Sequence, residues 1–301
     1  MSKNILITGG TGLLGTHLTT LLRKKGYTIS YLSRRKQTLA DIQVYEWDIA
    51  KGTIETEAIT NADYIIHLAG AGVADKLWSV AYKKEIYDSR VLSTKLLVEK
   101  LTTVPNKCRA FIQASAIGYY GLDTQERWID EKAPAGIDFL AQVTHDWEQA
   151  ASPIAGSNIR HALLRIGVVL CEEGGALPKL SLPVKMFLGA AIGAGTQYIS
   201  WIHIEDLCEM FVKAIENEAW QGVYNASAPN PVTNEEMTKV IGKVLSRPVF
   251  LPNVPAFVLR MGMGEMANIV LGGNRTSCQK VEKAGFKFVY PQIEAALRSL
   301  L

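Results

Sequence analysis

Apolar and polar positions run along this chain in two rhythms, and the rhythm changes at turn-forming residues. Residues 4–7 form a short apolar run, the pattern of a strand covered on both faces. From Leu13 the apolar positions recur at helical spacing: Leu14, Leu18, Leu21 and Leu22 share one stripe, and Arg23-Lys24-Lys25-Gly26 is the stop signal. Residues 28–32 and 43–47 read as the second and third strands, joined by a loop because the connection is too short for a crossover helix. A fourth strand spans 64–68, and a long helix over 76–101 carries Glu85 and Arg90 among apolar residues. The fifth strand, 110–114, leads through an acidic, Pro-containing loop (Asp130, Glu131, Pro134) to a helix over 139–151, and the sixth strand covers 161–169. Strand and helix alternate throughout, which predicts a doubly wound parallel α/β sheet.

Beyond residue 171 the pattern loosens into a Pro-interrupted helical stretch and a Gly/Ala-rich segment over 189–195. A strand over 198–202, a helix over 205–216 and a last sheet strand over 223–225 follow. Helices are expected from the Asn230-Pro-Val-Thr233 start to about Ser246, in the Met-rich segment before Gly272, over 277–284 and from Gln292. The expected division is therefore a sheet domain over 1–225, with insertions from about 171, and a small, mainly helical domain over 226–301.

The composition narrows the function classes. Hydrophobic residues at 48% and charged residues at 20% describe an ordinary globular protein, and no apolar run is long enough for a bilayer. A net charge of +3, evenly spread, is no nucleic-acid footprint. A strand that begins at residue 4 leaves no room for a cleavable leader, so the expected compartment is the cytoplasm. Cys108, Cys171, Cys208 and Cys278 lie far apart, with no CxxC and no neighbouring histidine at ligand spacing, and are expected to be reduced thiols without a metal.

Candidate chemistry gathers at the ends of the strands. Gly9 suits a tight turn out of the first strand, Gly12 lets backbone N–H groups approach a pyrophosphate, and Gly15 lets the helix pack closely on the sheet. Ser33-Arg34-Arg35 ends the second strand, where an NAD-preferring protein would carry an acid; a guanidinium there suits a 2′-phosphate. Asp48, after the third strand, is placed either to approach an adenine ring or to close a turn. His67-Leu-Ala-Gly70 is a second small-residue break at a strand end, with His67 read as a core histidine. The fifth strand delivers Ser115 and then Gly118-Tyr119-Tyr120-Gly121.

With Ser89-Arg90, Asp146-Trp-Glu148 and Trp201-Ile-His-Ile-Glu-Asp206 added, the chain resembles an extended short-chain dehydrogenase/reductase, of the atypical epimerase-like branch with a C-terminal domain of unknown function. The resemblance implies a Rossmann-type domain with the small C-terminal domain on the substrate side. It implies NADP(H) held by the glycine loop (Gly9, Thr11, Gly12, Leu13, Leu14 and Gly15), by Ser33 and Arg34 with Arg35 beside them, by Leu68, Ala69 and Gly70 near the ribose, and by Glu85 and Arg90. Active members pair a serine after the fifth strand with a Tyr-x-x-x-Lys, whose tyrosine transfers the proton while the lysine lowers its pKa. Here Ser115 is present, but Phe139 or Leu140 takes the tyrosine slot and Val143 or Thr144 the lysine slot. Tyr119 and Tyr120 are the candidate replacement acids, with His145 or His203 assisting; the alternative is that both tyrosines pack the pocket floor. Trp78 and Trp201 either stack on a substrate or bury area. Two function classes are open: an NADP-dependent oxidoreductase or epimerase acting on a small molecule, and a non-catalytic NADP(H)-binding regulator or redox sensor.

Overall fold

The computed structural model describes residues 2–39 and 41–301. The first half builds β1 (Asn4–Thr8), α1 (Leu13–Lys24), β2 (Thr28–Ser33), β3 (Gln43–Asp48), β4 (Thr53–Ile54), α2 (Thr56–Thr60), β5 (Tyr64–His67), α3 (Val80–Thr103), β6 (Ala110–Ala116), β7 (Asp123–Ile129) and α4 (Phe139–Gln149). Next come β8 (Arg160–Ile166), β9 (Val168–Cys171), β10 (Gly174–Gly175), α5 (Leu177–Lys185), β11 (Tyr198–Ile199), β12 (Trp201–His203), α6 (Ile204–Glu216) and β13 (Gly222–Ala226). The chain closes with β14 (Val232–Thr233), α7 (Asn234–Val244), α8 (Ala256–Met263), α9 (Asn268–Leu271), β15 (Gly273–Thr276), α10 (Gln279–Lys283) and α11 (Ile293–Leu300).

The central sheet has eight strands in the order β13-β8-β6-β5-β1-β2-β3-β4, parallel except for the terminal β3–β4 pair. Its strands alternate their apolar side chains between two covered faces. Ile5, Ile7, Ile66 and Ile112 share a core with Leu18 and Leu22 of α1 and Phe211 of α6. Leu6, Ile65 and Phe111 pack instead with Ile59 of α2 and Leu97 and Leu101 of α3. A third core joins α5, α7 and α11 through Leu177, Ile241 and Leu297 around Trp201. Among the described residues no helix is long and apolar enough to cross a membrane.

Three local expectations are corrected. The sixth strand is not continuous over 161–169: β8 stays in the central sheet, and after Gly167 the chain enters β9, which pairs with β12. A Cβ at Gly167 would sit 2.5 Å from the Ser200 carbonyl oxygen, so the crossing needs glycine. The strand expected over 198–202 splits at the same crossing, because fully buried Ser200 donates its hydroxyl to the Asn274 carbonyl and accepts from the Thr276 amide. The connection read as an acidic loop contains β7, paired in parallel with β15. That pairing brings the C-terminal segment back against the central sheet's carboxyl end.

Candidate functional site

The turn from β1 into α1 is built for close approach. Gly9 has φ +71 and accepts the Gly12 amide at 3.0 Å, a conformation that side chains rarely adopt. A Cβ at Gly15 would lie 2.4 Å from the Gly9 carbonyl oxygen, so the helix meets the turn with no room to spare. Gly12 is the N-cap, with no side chain capping the helix and no acid in its first turn. The amides of Leu13, Leu14 and Gly15 therefore have no partner within the helix, and the positive end of the helix dipole is open to an anion. Thr11 is exposed beside them.

Facing this turn is the end of β5. Buried His67 bonds Thr8 Oγ1 at 2.7 Å and Thr94 Oγ1 at 2.8 Å, and burial pushes its pKa down to about 3; it is a neutral core histidine. Thr8 Oγ1 in turn accepts the amides of Leu68 and Ala69, each at 3.1 Å, which holds this stretch against Gly9. The Arg90 guanidinium lies directly over Gly70, where a Cβ would be 3.0 Å from its Cζ. Arg90 donates to the Ile86 carbonyl at 3.1 Å and stacks on Trp147, and burial lowers its pKa to about 10. One of its five N–H donors is held by that carbonyl, and the others have no protein partner and are free for a ligand in the half-buried site.

A cavity of about 550 Å³ unites these parts. Gly9, Gly12, Leu13, Leu14, Gly15, Leu68, Arg90 and Ser115 all line it. Ser33, Arg34 and Arg35 stand just outside: the Thr8–Leu32 register brings the end of β2 beside the glycine turn, with both arginines exposed. Glu85 is exposed on α3, 3.7 Å from Lys76, and is not brought to the cavity. Asp48 closes a turn, accepting the Lys51 amide at 3.1 Å; that bond and the Lys51 ammonium hold its carboxyl below the ordinary range.

Strand register explains the chemistry around Ser115. Ser115 of β6, Arg165 of β8 and Asn225 of β13 are register partners across three adjacent strands, so their side chains form a row. Arg165 grips Glu148 of α4 in two bonds, of 2.9 and 2.7 Å, and both side chains are buried. Burial alone would lower the arginine's pKa; the bonds to Glu148 outweigh it and raise it. Ser115 Oγ donates to Glu148 at 2.6 Å. Arg165 also donates to Tyr120 Oη at 3.0 Å, so the Tyr120 hydrogen goes to Asn225 Oδ1 at 2.6 Å. Burial pushes the Tyr120 phenol up to about 12.

This hydrogen inventory bears on both kinds of candidate acid. Ser115 presents lone pairs to the cavity, because its hydrogen is held by a carboxylate that only accepts. Neither Tyr119 nor Tyr120 lines the cavity; Tyr119 lies flat on Arg165, whose Cζ is 3.4 Å from the ring centroid. His145 packs against Tyr119 and bonds Asp146, while His203 caps α6 and stacks on Tyr290. Trp78 packs on Phe139 and Trp201 is fully buried, its N–H on the Asn230 carbonyl. In α4, which has neither tyrosine nor lysine, Leu140, Val143 and Thr144 line the cavity.

Glu148, Arg165 and Asn225 escaped a reading by motif roles, although a charged residue inside the apolar run of β8 was a visible signal. Cys171, expected to stand alone, has His17 Nε2 at 3.5 Å and donates to Glu173 at 2.7 Å. Burial lifts its pKa to about 11, so the thiol keeps its proton near neutral pH and with it this bond.

Residues 5–138 match the NAD dependent epimerase/dehydratase family, and residues 254–300 match a domain of unknown function, DUF1731. The chain is 36% identical to epimerase family protein YfhF of Bacillus subtilis, over 99% of this chain and 98% of that protein. It belongs to this epimerase family. Another member, the chloroplastic SDR39U1 homolog of Arabidopsis thaliana, is 37% identical over 99% of this chain and 86% of its own length. Human epimerase family protein SDR39U1, whose crystal structure was determined with NADPH, superposes with a TM-score of 0.89 at 30% identity, covering 99% of this chain and 98% of that one. The epimerase family fold thus accounts for both the Rossmann-type sheet and the C-terminal segment that returns to it.

Proposed function

We propose that the protein binds NADP(H) in this cavity and carries out NADP-linked oxidation and reduction of a small molecule. The observation that carries the reading is the convergence of three groups on one cavity: the uncapped N-terminus of α1, the under-partnered Arg90 guanidinium and Ser115. The crystal structure of the human relative with NADPH supports the choice of cofactor. The amides of Leu13 and Leu14 would take the pyrophosphate, and Arg34 with Ser33 the 2′-phosphate. When bound, the nicotinamide supplies or accepts a hydride. Ser115 then orients a substrate hydroxyl by accepting its hydrogen, with Glu148 and Arg165 holding the serine in place. We place the protein in the cytoplasm, in keeping with four free, buried thiols among the described residues.

A second reading, an NADP(H)-binding regulator without turnover, is favoured by one observation. The hydrogens of Ser115 and Tyr120 are both committed inside the protein, so neither of these candidate acids has a proton ready to give. General acid catalysis worth roughly 10²–10⁴-fold is then not supplied by either of them.

Calorimetric titration separates the cofactors. NADPH is expected to bind more tightly than NADH, and Arg34→Ala to lose about 1.5–3 kcal/mol of NADPH affinity while leaving NADH unchanged. Equal affinities would remove the 2′-phosphate assignment. Arg90→Met keeps the apolar stem and deletes the charge; NADPH affinity should fall roughly tenfold or more at a near-parental melting temperature. NADPH oxidation followed by absorbance against a panel of carbonyl compounds decides between enzyme and regulator. Consumption supports the first reading, tight binding without consumption the second, and no binding sinks both.

A further inference from the structure

A second cluster of reactive side chains lies outside the cavity, where the first turn of α1 meets the hairpin of β9 and β10. Leu13 packs against the turn of that hairpin, where a Cβ at Gly174 or Gly175 would be 3.5 Å from its methyl carbons. His17 stands one helical turn further on, and so on the same face of α1. The hairpin meets it with Cys171, the last residue of β9, and with Glu173, two positions later in the turn. His17 Nε2 is 3.5 Å from both Cys171 Sγ and Glu173 Oε2, and Sγ and Oε2 are 2.7 Å apart. Among the described residues this is the one group of three His, Cys, Asp or Glu side chains whose ligand atoms converge so closely.

The triangle has the dimensions of one face of a coordination shell. Zinc bonds run about 2.0–2.1 Å to imidazole nitrogen, 2.0–2.2 Å to carboxylate oxygen and 2.3 Å to thiolate sulfur, and a single point about 1 Å off the plane of the three atoms satisfies all of them. The Sγ–Oε2 side is tighter than a regular tetrahedron requires, and Glu173, 63% exposed in the turn, is the ligand that can swing out to widen it. His17 is 31% exposed, so an ion reaches the cluster from solvent although Cys171 is fully buried. The donor set also selects the ion. A thiolate, a carboxylate and a neutral imidazole together carry the two negative charges that a divalent cation cancels, and sulfur with nitrogen favours Zn²⁺ over the oxygen-seeking Mg²⁺ and Ca²⁺. The Cys171 thiol passes its proton to solvent as the Zn–S bond forms.

We infer that His17, Cys171 and Glu173 bind one Zn²⁺ ion, with water in the fourth position. The ion ties α1 to the β9–β10 hairpin. That joint lies one helical turn beyond the amides of Leu13 and Leu14, and the hairpin leads directly to Ala176 on the cavity wall. Zinc therefore braces the seam between the glycine turn and the segment that follows the strand crossing at Gly167. The inference is independent of the NADP-linked reading, since none of the three ligands lines the cavity.

The test uses the untagged full chain, reduced and stripped of metal, with Co²⁺ as a spectroscopic stand-in and Zn²⁺ titrated against a chromophoric chelator. One equivalent of Co²⁺ should bring up the near-ultraviolet charge-transfer band of a Co–thiolate bond, and Zn²⁺ should bleach it while millimolar Mg²⁺ or Ca²⁺ does not. Cys171→Ser should abolish the band; Cys208→Ala, at a thiol outside the cluster, should keep it. His17→Ala and Glu173→Ala change partly exposed side chains, so each should melt near the parent and weaken Zn²⁺ about tenfold or more. If Cys171→Ser fails to fold, these two variants still decide the matter. Absence of the band in the parent, a band that survives Cys171→Ser, or Zn²⁺ affinity indifferent to His17→Ala or to Glu173→Ala each overturns the inference.

Discussion

Arg165→Met is expected to cost about 3–5 kcal/mol of stability, seen as a large drop in the denaturation midpoint. The guanidinium and the Glu148 carboxylate are 4% and 8% exposed, so removing one leaves the other charged and buried with no counter-ion. Ser115 alone cannot replace the two bonds Glu148 loses. The double variant Glu148→Gln/Arg165→Met should recover part of the loss, because a neutral amide is far cheaper to bury than an orphaned carboxylate. The pH dependence has a defined sign. The folded arginine's pKa is raised, so its contribution is present below the ordinary guanidinium range and fades only in strong alkali. A single variant that melts with the parent would show that the pair carries no weight.

Gly15→Val should be the most damaging change for cofactor binding. Its Cβ would meet the Gly9 carbonyl oxygen at 2.4 Å and the Gly10 Cα at 2.6 Å, and backbone on both sides cannot swing away. Overpacking of this kind costs about 1–3 kcal/mol. The displaced turn also loses charge-assisted bonds to phosphate, which predicts NADPH affinity down roughly 10- to 100-fold by calorimetry. Gly26→Ala is the matched control. Gly26 has φ +87 and nothing within 4 Å of an added Cβ, so alanine there strains the backbone without touching the glycine turn. Stability should fall in both variants and cofactor affinity only in the first. Equal cofactor affinity in the two would mean that the turn does not hold the phosphates.

What could be read from the chain, and what could not, divides by distance along it. The β1–turn–α1 unit was legible because everything that builds it lies within residues 4–24: a strand buried on both faces, glycines at the positions of closest approach and a leucine stripe. The end of β2 was legible for the same reason. The row of Ser115, Arg165 and Asn225 was not, since it depends on the register of three strands separated by connections of different length. Periodicity also cannot see a crossing point. Gly167 and Ser200 interrupt two apolar runs, and what they avoid or bind lies in the other run or in β15. The nearness of Cys171 to His17, 154 residues away, was hidden in the same manner. Among the cofactor-side residues implied by resemblance, Arg90 reaches the cavity and Glu85 does not, although both lie on α3 and differ by five positions; at about 100° per residue that spacing turns them to different faces.

The β7–β15 pairing sets an order of events during synthesis. β15 joins strands about 150 residues apart in the chain, and Asn274 on it ties the segment after β6 in place. The glycine turn, β5 and the start of α3 emerge from the ribosome long before it, and their contacts are already available to close. A nascent chain is therefore expected to acquire its nucleotide half first and to stay open on the opposite side until residues 273–276 have docked. During that interval apolar wall residues such as Leu122 and Leu140 face water. Pulse proteolysis of stalled chains should find cleavage concentrated over residues 117–140, vanishing once β15 has been made.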